Sequence, residues 1–212
     1  MLTLLIEACT ERGVVAIFRD KESLYQEILP FGYSNSKYLI PSLQKGLGDL
    51  KISLSDFAFI TVGVGPGSYT GMRVAAITAK TWAYTHHLPL VCLSTLQGFL
   101  PSCEGAFTVL IDAKTGGAYA LSGRFIEGKV HYVGEPQVYS LENLGMLLEK
   151  APLIVTPNGN RLRNSLGERY PHLPLQWQEH APCPAHMTSL AQEMFLSGNS
   201  IDCHALELLY LR

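Results

Sequence analysis

Leu4-Leu5-Ile6-Glu7-Ala8-Cys9-Thr10 has a counterpart 105 residues later, Val109-Leu110-Ile111-Asp112-Ala113-Lys114-Thr115. Leu5/Leu110, Ile6/Ile111, Ala8/Ala113 and Thr10/Thr115 are identical, and Glu7 stands opposite Asp112. In each copy a short apolar run ends in an acid and a small polar turn follows. A second apolar run then returns, Val14 to Phe18 in one copy and Ala118 to Leu121 in the other. Runs this short, bounded by turn residues, read as a buried strand, a hairpin turn and a second strand. Leu-Ile-acid is a common string, so identity alone carries little. The shared offset of half the chain and the shared hairpin favour an internal duplication. They divide the chain into an N-terminal subdomain, 1–102, and a more degenerate C-terminal one, 103–212.

Working outward, Glu22 to Leu29 reads as a third strand. Ser34 to Leu47 carries Leu39, Leu43 and Leu47 at helical spacing. Pro41 sits awkwardly there: either the helix starts at Pro41 or its first turn tolerates the missing N–H. Phe57 to Val64 is an unbroken apolar run, the mark of a strand buried on both faces. Ser68 to Tyr84 is helical, Leu90 to Leu93 a short strand, and Thr95 to Leu100 a short helix. Hairpin strands followed by alternating helix and strand predict an α/β fold with a mixed sheet. The second half is looser, with six of the twelve prolines between Pro152 and Pro184. Strands are expected at 107–112, 117–125, 130–138 and 153–156, and helices at 141–149 and 185–196.

The 212 residues are 47% hydrophobic and 16% charged, enough apolar mass for a core, which excludes wholesale disorder. The net charge of −2 leaves no basic surplus with which to grip nucleic acid alone. The N-terminus lacks the cationic head of a signal peptide. No stretch approaches the roughly 18 apolar residues of a membrane span. Five cysteines without a CxxC pair read as free thiols of a reducing, cytoplasmic compartment. His180, Cys183 and His186 have suggestive spacing, but Pro182 and Pro184 stiffen the segment and no fourth ligand is near in sequence. A surface linker is therefore expected there rather than a metal site. The tandem His86-His87 reads as a cation near a helix C-terminus.

Val62-Gly63-Val64-Gly65-Pro66-Gly67-Ser68-Tyr69-Thr70-Gly71 places four glycines between a strand and a helix. Backbone N–H groups can converge on a phosphate at such a helix start. The spacing argues against it. No glycine of the stretch precedes a Lys, as a P-loop requires. Counting from Gly63 or Gly65, the sixth residue is Ser68 or Thr70, so the dinucleotide pattern fails too. Ser68 is followed by Tyr69-Thr70-Gly71, not by the x-Gly of a nucleophile elbow. The favoured reading is a tight strand-to-helix turn with Ser68 or Thr70 as cap and glycines that admit close backbone approach.

The helix that follows has two apolar faces. At about 100° per residue, Met72, Ala75, Ala76, Ala79, Trp82 and Ala83 share one face, and Val74, Ile77 and Tyr84 lie nearly opposite. Arg73 and Lys80 lie together on one flank. One face can pack on the helix's own sheet, and the other needs a partner. Periodicity leaves open which face turns outward.

Ile60 to Val74, with Ala79-Lys80 behind it, resembles the signature of the bacterial TsaB family, Gly-Pro-Gly-Ser-Phe-Thr-Gly-Leu-Arg with Ala-Lys soon after. Ser36-x-x-Leu39-Ile40-Pro41 is similar to the family's Ser-x-x-Leu-Leu-Pro, and Leu93-Ser94-Thr95-Leu96 to its Ser-Ser-Leu. Leu110 to Lys114 with Tyr119 matches its Ile-Asp-Ala-Arg and Tyr, and Leu209 to Arg212 its Tyr-Leu-Arg ending.

The resemblance implies an actin-like (ribonuclease H-like) α/β fold of two similar subdomains, mixed sheets flanked by helices. It also implies a subunit that is not itself the catalyst. In that family the related TsaD carries the metal. It transfers threonylcarbamoyl to the N6 of adenosine 37 in tRNAs reading codons that begin with A. The ATPase TsaE joins the complex. TsaB is the scaffold between the two and can pair with itself through the surface it offers TsaD. The implied partners are thus a TsaD-like subunit, a TsaE-like ATPase and a second copy of this chain. The tRNA is met only through the complex, and no membrane is involved. The expected interface comprises Leu39, Leu43, Met72, Arg73, Ala76, Ile77 and Lys80, beside the glycine loop of Gly65, Pro66, Gly67, Ser68, Thr70 and Gly71. No catalytic residue, cofactor or metal is expected.

The departures are informative. The family's Ile-Asp-Thr-Ser is here Ile6-Glu7-Ala8-Cys9, with neither glycine nor hydroxyl at Ala8 and Cys9 to cradle phosphate. Asn35 stands where His is common, and no histidine lies between Ser34 and Leu47, where the catalytic relative carries two metal ligands. The alternative is an actin-like ATP-binding enzyme, ATPase or kinase, using Glu7, Asp112 and the turns Lys114 to Gly117 and Gly63 to Gly71. A peptidase is a third reading, without a Ser/His/Asp set that can be placed.

Overall fold

The computed structural model describes residues 1–32, 35–114 and 116–211. Ser34 of the expected helix start, Thr115 of the repeat and Arg212 of the terminal motif lie outside them.

The first sheet is built from β1 (Leu2–Glu7), β2 (Val14–Arg19) and β3 (Glu22–Ile28), followed after α1 (Leu39–Leu50) by β4 (Phe59–Gly63), α2 (Tyr69–His86) and β5 (Leu90–Leu93). Its order is β3-β2-β1-β4-β5. The first three strands are antiparallel neighbours, and β4 and β5 run parallel to β1. The central β1 is buried on both faces because its side chains alternate between two covers. Leu4 and Ile6 meet Leu39 and Leu43 of α1 and Ala75, Ala79 and Ala83 of α2. Pro41 is the third residue of α1, within the turn whose N–H groups have no helical partner anyway.

The second sheet repeats this plan with β6 (Gly105–Asp112), β7 (Gly117–Ile126), β8 (Lys129–Ser140), α3 (Gly145–Lys150), β9 (Leu153–Thr156), α4 (Asn160–Arg169) and β10 (Gln176–Glu179). Its order is β10-β9-β6-β7-β8, with β6, β7 and β8 antiparallel and β9 and β10 parallel to β6. Order and direction match the first sheet strand for strand. This is the ribonuclease H-like topology of actin-like folds. Glu7 and Asp112 are the last residues of the two central strands, so the sequence echo falls at equivalent places. Leu162 and Leu166 of α4 and Leu148 of α3 cover one face of this sheet with Leu110 and Ile154.

Contacts group Met1–Gly98 with Pro182–Leu209, and Phe99–Ala181 with Tyr210–Arg212. The division expected at 102/103 assigns the last helix to the second subdomain, whereas contacts place it with the first. That helix, α5 (Pro184–Leu196), carries Met187 and Ala191 onto Leu5, Phe18 and Val91, the face of the first sheet that α1 and α2 leave bare. Phe195 stacks on Phe59 with ring centroids 4.6 Å apart. Without α5 that apolar face would meet water.

Candidate functional site

The glycine loop lies flush against the β1–β2 turn. An ideal Cβ on Gly67 would stand 2.0 Å from the Cys9 carbonyl oxygen, one on Gly71 1.9 Å from that of Ala8, and one on Gly63 1.8 Å from a Glu7 carboxylate oxygen. Only glycine permits this approach. Gly65 also needs its positive φ of 102°, and the Gly65–Pro66 peptide is cis. Three N–H groups at the helix start are engaged within the protein. Ser68 N donates to Cys9 O at 2.5 Å and Met72 N to Ser68 O at 2.8 Å. Gly71 N donates to Ser68 Oγ at 3.3 Å, so Ser68 is the cap, while Thr70 is exposed in the first turn. The close-approach reading of the loop holds: Gly63, Gly67 and Gly71 lie where a side chain would collide with the β1–β2 turn.

Glu7 is fully buried. Its Oε1 accepts the Cys9 N–H at 2.6 Å and its Oε2 the Thr95 hydroxyl at 2.9 Å, while the Cys9 thiol donates to Gly63 O at 3.3 Å. Burial raises the Glu7 carboxyl above its ordinary 4.5, against these hydrogen bonds, which lower it. Burial and the neighbouring Glu7 charge push the Cys9 thiol well above its usual range. In the second unit Asp112 pairs with Arg161 at 3.2 Å and with Lys114 at 3.8 Å, and accepts the Lys114 N–H at 2.8 Å. Both acids of the repeat are thus held by their own unit's side chains and backbone.

A raised carboxyl binds its proton more tightly folded than unfolded. Its contribution to stability is complete below about pH 4.5 and is lost as pH rises through the folded value. Glu7→Gln should therefore flatten the fall in stability above pH 4.5 relative to the parent chain. Denaturant unfolding of both chains from pH 4.5 to 8 checks this; parallel pH profiles would contradict it.

The structure settles the orientation of α2. Met72, Ala76 and Ala79 face inward at 5% exposure or less, whereas Ile77 is 61% and Tyr84 63% exposed. Tyr69, Arg73, Ile77, Thr81 and Tyr84 form one outward stripe, with the Arg73 guanidinium 3.7 Å above the Tyr69 ring. Lys80 is half-buried on the flank. A 3-10 turn, Asn35–Tyr38, leads into α1 and packs against α2, adding exposed Tyr38, with exposed Ile40 just beyond. Leu39, Leu43, Met72 and Ala76, expected at the partner surface, are instead buried core residues. The small alanines bring α2 close to its sheet rather than to another molecule. Sequence reading missed Tyr38 and Tyr69, although Tyr69 lies eight residues before Ile77, on the face later found exposed.

His180 and the pair Cys183 and His186 fall in different contact units. His180 Nδ1 lies 2.8 Å from Ala181 O, Cys183 N donates to Gly98 O, and His186 is half-buried on α5.

A family model described as TsaD: tRNA N6-adenosine threonylcarbamoyltransferase matches residues 33–203. The chain belongs to that family. The tRNA threonylcarbamoyladenosine biosynthesis protein TsaB of Bacillus subtilis is 26% identical over 208 residues, covering 93% of this chain and 88% of the relative. TsaB of Escherichia coli K12 is 25% identical over 221 residues, covering 100% and 95%. YeaZ from Pseudomonas aeruginosa has the same fold, with a TM-score of 0.82 at 19% identity over 99% of this chain and 100% of that one. The TsaB resemblance read from the motifs is the one these relatives carry. The family is one of tRNA threonylcarbamoyladenosine biosynthesis. No helix among the described residues is long and apolar enough to cross a membrane.

Proposed function

We propose that the chain is a non-catalytic subunit of the tRNA threonylcarbamoyltransferase complex. It binds a TsaD-like catalytic subunit through the outward stripe of α2 and supports a TsaE-like ATPase in the same cytoplasmic assembly. The tRNA is met only through that assembly. A homodimer uses the same stripe when the partner is absent. The observation that carries this reading is the pairing of a closed glycine loop with an open apolar helix face. The Ser68 N–H is taken by the Cys9 carbonyl and those of Gly71 and Met72 by the Ser68 oxygens, and the loop's glycines pack on the β1–β2 turn, while Ile77 and Tyr84 stand exposed.

The competing reading is an ATP-binding enzyme. Titration calorimetry of the purified chain with Mg-ATP should show no saturable heat, and phosphate release should stay at background. Magnesium-dependent hydrolysis that disappears on Glu7→Ala or Asp112→Ala would overturn the proposal.

A further inference from the structure

A separate cavity of about 420 Å³ opens at the C-terminal end of α2, lined by Tyr84, His87, Asp202, Cys203 and His204 among others. Asp202, Cys203 and His204 offer a carboxylate oxygen, a thiol sulfur and a ring nitrogen that all lie within 4.8 Å of one another. Asp202 caps the 3-10 turn Cys203–Ala205. Its Oδ1 accepts the His204 N–H at 2.8 Å and the Cys203 thiol at 3.7 Å. The backbone just before is fixed to β5, with reciprocal hydrogen bonds of 2.9 and 2.8 Å between Leu90 and Ile201. The Tyr84 ring meets the His204 ring edge-on at 5.8 Å. His87, the left-handed C-cap of α2, brings a second imidazole to the cavity. The carbonyl end of this 18-residue helix adds partial negative charge.

We propose that Asp202, Cys203 and His204, completed by His87, form a binding site for a zinc-class divalent cation. The mixed sulfur, nitrogen and oxygen donors suit zinc and are wrong for magnesium or calcium, which take oxygen. Zinc bonds of about 2.0–2.3 Å set tetrahedral ligand atoms roughly 3.5 Å apart, and the donor atoms of Asp202, Cys203 and His204, within 4.8 Å of one another, lie close to that spacing. Binding replaces the proton of the Cys203 thiol by the metal and releases that proton to solvent. The ion pins the segment after α5 to the end of α2.

Cobalt(II) is the first probe, added to the full chain after stripping with a chelator, and zinc then displaces it. One equivalent should give sulfur-to-cobalt charge-transfer absorption and the visible bands of a tetrahedral site. Both should vanish in Cys203→Ser and persist in Cys103→Ser and Cys183→Ser. Cys203 packs in the core, so His204→Ala at an exposed position gives a test that leaves the core intact. It should weaken zinc tenfold or more, as should His87→Asn, which tolerates the left-handed φ of 53°. Absence of the sulfur band in the parent chain would overturn the proposal. So would a band that survives Cys203→Ser, or zinc affinity unchanged in folded His204→Ala.

Discussion

A chain carrying Ile77→Glu should stay folded and should lose the proposed association with the TsaD-like partner and with its own second copy. Ile77 is 61% exposed at the middle of the outward stripe, so the change removes no core contact. It puts a carboxylate where the proposed interface is most completely dehydrated. Central apolar anchors typically cost about 2 kcal/mol or more when disrupted, roughly thirtyfold in affinity. Arg73, one turn before it in the stripe, and Lys80 on the flank would set register and on-rate more than affinity. Size-exclusion chromatography and pull-down, with circular dichroism as the folding control, check the result. Unchanged association of a folded Ile77→Glu chain would remove α2 from the interface. Ala76→Arg makes the contrast. At 5% exposure against the sheet, that residue should fail by unfolding rather than by losing a partner.

Gly71→Ala should destabilise the isolated chain by about 3 kcal/mol, the upper range for forcing a methyl into packed atoms. The added Cβ meets the Ala8 carbonyl at 1.9 Å, and Ala8 is the buried residue directly after the central strand of the first sheet. For a chain of this size the melting temperature should fall by roughly 6–12 °C. Calorimetry without nucleotide is the measurement. A phosphate-cradling loop would show the opposite pattern, with near-normal stability and impaired ATP binding. An unchanged melting temperature would therefore contradict the account of the loop.

Much of this was legible in the sequence because central strands and glycine turns leave strong local marks. Glu7 and Asp112 sit at the ends of continuous apolar runs, and the repeat they define is the repeat of the two sheets. Failed phosphate spacing around Gly63 to Gly71 matched a loop that packs on protein. Other features depend on long-range contacts that no local pattern encodes. α4 and β10 were not anticipated. The helix buries only Leu162 and Leu166, and the strand Gln176–Glu179 has no apolar alternation beyond Trp177. The return of α5 to the first sheet follows from the bare face of Leu5, Phe18 and Val91, invisible until the sheet order is known. The orientation of α2 was undetermined for a similar reason. Both faces are apolar, and only the fit of small alanines against β1 and β4 selects the inward one. The grouping of His87 with Asp202 to His204 depends on the bridge between Leu90 and Ile201.

The central claim is that this chain contributes a surface, not chemistry, to tRNA modification. The most direct test is the initial rate of threonylcarbamoyladenosine formation, read by nucleoside mass spectrometry. The reaction contains the TsaD-like and TsaE-like partners, threonylcarbamoyl-adenylate and tRNA, and the parent chain, Ile77→Glu or Asp112→Asn is added in turn. The account predicts a wild-type rate with Asp112→Asn. With Ile77→Glu it predicts a rate more than tenfold lower at limiting subunit, recovering as its concentration is raised. Loss of the rate with a folded Asp112→Asn chain that still binds its partner would contradict it.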